Sequence, residues 1–116
     1  MEKEIFVTFL RSPVSSAYFV EGLRVSAGMF SGEQNHKVTA AFVGKGVRCA
    51  VKGVDRSYAT KFLEYFPEEQ GKKFLVEEES LRDEGIDPAT LASEFAVTPR
   101  AEIRKRMLKA QLCLSF

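Results

Sequence analysis

Apolar residues fall in two alternating periods along this chain, and their order predicts the architecture. Residues 4–10, EIFVTFL, form a nearly continuous apolar run rich in β formers. Such a run reads as a strand buried on both faces, as in a parallel sheet. The next stretch, RSPVSSAYFVEGLRVSAGMF, switches to helical spacing. Val20, Leu23, Ala27 and Phe30 share one face, while Glu21, Arg24 and Ser31 fall on others. Ser12 suits the N-cap of this helix and Pro13 its first turn. KVTAAFV (37–43) reads as a second buried strand, and GKGVRCAVKG as a tight turn and short helix ending near Gly53. Residues 55–66 predict another helix, with Phe62, Leu63, Tyr65 and Phe66 as its apolar part.

KFLV (73–76) is the expected third strand, and EESLRDE a short helix closed by Gly85. Asp87-Pro88 opens a brief turn or helix through Leu91, and SEFAV (93–97) is the fourth strand. Thr98-Pro99 repeats the cap-plus-proline start, here for a last helix, RAEIRKRMLKA. QLCLSF alternates: Leu112, Leu114 and Phe116 point one way, Gln111, Cys113 and Ser115 the other. That alternation suits an edge or interface strand. Strands separated by helices imply an α/β protein, a three-layer α/β/α sandwich with a five-stranded, mostly parallel sheet. Residues 1–116 are expected to form one domain.

Composition narrows the function classes. With 45% apolar residues the chain is globular, and no apolar run approaches the roughly 20 residues that span a bilayer. The start, MEKEIFVTFL, lacks a basic n-region and a small-residue cleavage site, so a cytoplasmic protein is expected. The net charge of +1 gives no global attraction to nucleic acid. The last helix is basic, with Arg100, Arg104, Lys105, Arg106 and Lys109, but Ile103 and Met107 give it a buried side. No aromatic platform accompanies it, which disfavours nucleic-acid binding. The two cysteines, Cys49 and Cys113, and the one histidine, His36, show no metal-ligand spacing. There is no GxGxxG or Walker A pattern, and no cofactor is expected.

In open α/β sheets, ligands bind beyond the carboxyl ends of the strands. There the sequence places Ser12, Ser15 and Ser16, then Gly44, Lys45 and Gly46, then Glu77, and finally Thr98, Pro99 and Arg100. Helix N-termini at these points offer free N–H groups and a positive dipole end. Ser12, Ser15, Lys45, Glu77 and Arg100 are therefore the candidate ligand-binding set, suited to a small anion. Simpler roles account for several of them. Ser12 and Thr98 are explained as caps, and the glycines flanking Lys45 by a tight turn. The run Glu77-Glu78-Glu79 suits the first turn of a helix, where negative charge gains about 0.3–1 kcal/mol.

Three stretches carry a family resemblance. They are SPVSS followed by EGLRVSAG, then AAFVGKGVRCAVKG, then SLRDEGIDP followed by VTPRAEIRKRMLKAQLCLSF. Together they resemble the DsrE/DsrF-like family of the DsrEFH and TusBCD sulfur-relay complexes, with SLRDEGIDP most similar to the DsrF/TusC branch. The resemblance covers nearly the whole chain. It implies an oligomer, such as a trimer or hexamer, built from this chain alone or with sister subunits. It also implies a cysteine just after the third strand in active subunits, exposed at a helix N-terminus and able to hold a persulfide. The matching position here is Glu77, or Val76 with the register moved by one, and neither is a cysteine. Lys45 stands where many relatives have an acid.

The leading expectation is thus a non-catalytic subunit or scaffold of a sulfur-relay assembly, with protein subunits as partners and no chemistry of its own. The alternative is a stand-alone homo-oligomer that binds a small anionic ligand at the strand ends. A carrier working through Cys49 or Cys113 is a third reading. Cys49, beside Ala50 and Val51, reads first as a small buried hydrophobe; Cys113 reads as a peripheral or interface thiol.

Overall fold

The computed structural model describes residues 3–12, 18–31, 36–54, 66 and 68–116. The helix expected at 55–66 lies outside these residues apart from Phe66, as do Pro13, Ser15 and Ser16, and nothing is assigned to the side chains of Ala27, Phe30 and Ser31.

The apolar runs form the strands β1 (Glu4–Phe9), β2 (Lys37–Phe42), β3 (Phe74–Glu77), β4 (Phe95–Thr98) and β5 (Leu112–Ser115). They make one sheet in the order β4-β3-β2-β1-β5, and every neighbouring pair is parallel. The α-helices among the described residues are α1 (Tyr18–Ser31), α2 (Glu78–Asp83) and α3 (Arg100–Lys109). Residues Gly44–Ala50 and Pro88–Thr90 form short 3-10 helices. No helix among the described residues is long and apolar enough to cross a membrane.

Strand alternation divides the side chains between two cores. Ile5, Val7, Phe9, Val38, Ala40, Phe42, Phe74, Val76 and Phe95 face α1, α2 and the first 3-10 helix. Phe42 is the centre of that core, with rings of Phe9, Phe74 and Phe95 at 4.8, 5.6 and 5.4 Å. On the other face Phe6 and Ala41 pack against Ile103 of α3, with Leu75 and Met107 at the margin. The result is the expected three-layer sandwich, fully parallel.

Three details differ from the periodicity reading. In α1 the buried residues among those described are Phe19, Gly22, Leu23 and Ser26, while Val20 is only half-buried. The reason is Gly22: a Cβ there would stand 2.5 Å from the Phe9 ring and 2.9 Å from Phe116. The helix therefore lies on the core along its Gly22 side, which turns Val20 outward. In β3 the strand runs one residue further than KFLV and takes in Glu77. At α3 the residue Thr98 does not cap; it lies in β4 and its hydroxyl donates to the Ala96 carbonyl at 2.9 Å.

β5 is an edge strand, as its alternation predicts. Phe116 just beyond it packs on the larger core and stacks near Phe9, while Leu112 is 43% exposed. Cys113 is exposed and Cys49 is fully buried.

Candidate functional site

The carboxyl ends of β2, β3 and β4 meet in a connected polar network. Glu77 ends β3 and immediately precedes α2, a place where a carboxylate could equally well be solvated. Its side chain is instead 4% exposed. A buried carboxylate persists only when paired and hydrogen-bonded. Arg100, the first residue of α3, supplies the partner: its Nη2 donates to Glu77 Oε1 at 2.9 Å. The Ser80 hydroxyl donates to the same oxygen. Ser80 Oγ in turn accepts from the Gly44 backbone N–H at 2.8 Å, which ties the turn after β2 into the network.

The neighbouring acid does a different job. Glu79 Oε1 accepts from the Arg100 backbone N–H at 3.0 Å, so a side chain of α2 caps α3. This explains why Thr98 is not needed as a cap, and why the acidic run is placed there. An anion at the N-terminus of α3 satisfies a backbone donor and complements the dipole.

Two effects oppose each other at Glu77. Burial pushes its carboxyl upward, but hydrogen bonds from Arg100 and Ser80 and the charges of Arg100 and Arg104 outweigh it, and the group sits below the ordinary carboxylate range. The hydrogen bond and charge of Glu77 likewise raise Arg100. Glu77 is therefore ionised at neutral pH and is no general acid there. A group whose folded pKa is depressed adds stability above its unfolded pKa, and that stability is lost as pH falls through the folded value. The stability difference between the wild type and Glu77→Gln should accordingly be largest at neutral pH, then shrink from about pH 5 downward. Urea unfolding of both proteins across that range measures it; a difference constant with pH would contradict the ionised pair.

A cleft of about 410 Å³ opens beside this network. Its polar wall includes Glu77, Asp83, Arg100 and Arg104, and its apolar wall Ile103 and Met107 of α3. Thr8 and Ser115, paired in the β1–β5 register, form part of the floor and rim. Thr8 is 5% exposed, and its hydroxyl has no hydrogen-bond partner among the described residues.

Of the candidate set, Glu77 and Arg100 come together. Ser12 is half-buried just after β1, and Lys45 is exposed in the first 3-10 helix; neither lines the cleft. Ser15 lies outside the described residues. Val76, the alternative position to Glu77, is fully buried in the larger core. Neither cysteine lines the cleft. Thr8, Ser80 and Arg104 were not singled out from sequence as cleft residues. Thr8 sits inside an apolar strand and Ser80 inside an acidic helix, so only the strand register and the turn of α2 reveal them.

An all-parallel, five-stranded α/β/α sandwich with a polar cleft at its strand ends defines the class. The solved structures it matches include the YchN protein from E. coli, with a TM-score of 0.79 over 100% of both chains at 18% identity. MTH1491 from Methanobacterium thermoautotrophicum, a protein of unknown function, matches with a TM-score of 0.66 over 100% of both chains at 14% identity. The chain thus has a DsrE/YchN-like fold. No protein-family model matches the sequence, and no curated protein matches it.

Proposed function

We propose that this chain is a non-catalytic subunit of a sulfur-relay assembly, built with cysteine-bearing partners of the same fold. The observation that carries this reading is the state of Glu77. It stands at the end of β3, where the family resemblance implies the persulfide-carrying thiol. A carboxylate forms no persulfide, and this one is held by Arg100 and Ser80. The two thiols lie elsewhere, one fully buried and one on an edge strand. The depressed carboxyl favours a permanent charge at this place rather than a proton-transfer group.

The test has two parts. The protein is isolated gently from its own cells and its native mass and composition are measured. Cyanolysable sulfur is then assayed on the isolated chain after exposure to a persulfide donor. The expected result is a mixed complex in which the partner thiols carry the sulfur and this chain carries none. Transferable sulfur on Cys49 or Cys113, lost in the matching serine variant, would overturn the proposal.

A further inference from the structure

Retaining an unpartnered hydroxyl in a protein interior is costly, because a buried polar group without a hydrogen bond loses its hydration for nothing. Thr8 carries such a hydroxyl at the floor of the cleft. Valine would fill the same volume and suit the strand better. The adjacent groups are also incompletely used. Arg104 lines the cleft and makes no ion pair among the described residues. Glu77 accepts both of its hydrogen bonds on Oε1, leaving Oε2 without a partner among the described residues. Ser115 adds a second hydroxyl beside Thr8.

The charge pattern selects the ligand. Two carboxylates, Glu77 and Asp83, face two guanidinium groups, Arg100 and Arg104, so the wall is balanced overall. A balanced wall does not favour a dianion such as phosphate. It suits a molecule that itself presents both an anionic end and a hydrogen-bond donor. Ile103 and Met107 supply an apolar surface for its body. We propose that the cleft binds a small organic carboxylate that also bears an amino or hydroxyl group. Arg104 and the Thr8 and Ser115 hydroxyls receive the carboxylate, and the free Glu77 oxygen receives the donor. This inference does not depend on the relay reading, since a scaffold subunit and a stand-alone protein would carry the same cleft.

Amide chemical shifts of the full-length protein, titrated with five probes, test it. The probes are leucine, its hydroxy-acid analogue, its deaminated carboxylate, its decarboxylated amine, and inorganic phosphate. Leucine or its hydroxy acid should move Thr8, Gly44 and Ser115 saturably, and the one-headed probes should bind about tenfold more weakly, as loss of one charge-assisted hydrogen bond implies. Whichever of the two is preferred identifies the donor. Arg104→Gln, a surface change, should weaken binding by about tenfold. Thr8→Val should weaken it while raising the melting temperature. Absence of a saturable shift with every probe at millimolar concentration would overturn the proposal. So would phosphate binding best, equal affinity for one-headed and two-headed probes, or unchanged affinity in Arg104→Gln.

Discussion

Replacing Phe42 with alanine is expected to cost about 3–5 kcal/mol, the range for removing a large aromatic ring from a packed core. Phe42 is fully buried on the central strand β2. Its ring stacks on Phe9 at an interplanar angle of 14° and meets the Phe74 and Phe95 rings edge-on, at 86° and 70°. Those three rings come from β1, β3 and β4, so one side chain joins four of the five strands. Stacked and edge-to-face pairs add attraction beyond the area they bury. The surrounding rings are held by their own strands and cannot collapse into the space, which places the cost toward the upper end of the range. Urea denaturation measures it. A loss below about 1 kcal/mol would mean that the aromatic cluster is loosely packed. Domains of this size have about 5–15 kcal/mol in total, so the loss would remove a large share of the folding margin.

Gly46→Ala should be comparably damaging for the opposite reason. A Cβ at Gly46 would lie 2.1 Å from the Phe9 carbonyl oxygen and 2.8 Å from its carbon, both backbone atoms. No rotamer change relieves that contact. The same carbonyl accepts the Val43 N–H at 3.0 Å, so the end of β1 is already committed to the turn after β2. Either this bond breaks or the 3-10 helix lifts away, and the expected loss is about 3 kcal/mol or more. The damage should also reach the site. Gly44, two residues earlier, holds the Ser80 hydroxyl that serves Glu77. Amide spectra of Gly46→Ala should therefore show shifts at Ser80 and Glu77, while a variant with native spectra and native stability would contradict the close approach.

The layered architecture was legible because buried parallel strands write themselves as short continuous apolar runs. EIFVTFL and KVTAAFV mark β1 and β2 almost to the residue. In α1 Leu23 was legible as a core residue, but the burial of Phe19 and Ser26 beside it was not, because Gly22 contributes nothing to an apolar count and yet approaches the sheet most closely. The acidic run was read as a helix-end preference, and Glu78 and Glu79 do stand in the first turn of α2; what was not legible is that the Glu79 side chain also caps α3. Glu77 was located as the position of interest, yet its burial follows from a partner 23 residues away, a distance that periodicity does not see. Thr8 was hidden by its own strand. In a run of apolar residues a threonine passes as a β former, and only the absence of a partner for its hydroxyl among the described residues sets it apart.

The strand order also governs how the chain reaches this state. β1 lies between β2 and β5, and its first residues pair with partners about the thirties and the hundred-and-tens of the sequence, as Ile5 does with Val38 and Leu112. Not one ladder in the sheet joins strands connected by a hairpin. Each therefore requires closing a long loop before its contacts return anything, which slows folding relative to helical or hairpin-rich domains of equal length. Until β5 docks, β1 presents an open edge along Phe6 and Thr8, the kind of edge on which other chains can add. The β1–β5 ladder spans the longest sequence separation in the sheet and also closes the cleft floor, so a refolding phase that reports on one should report on the other.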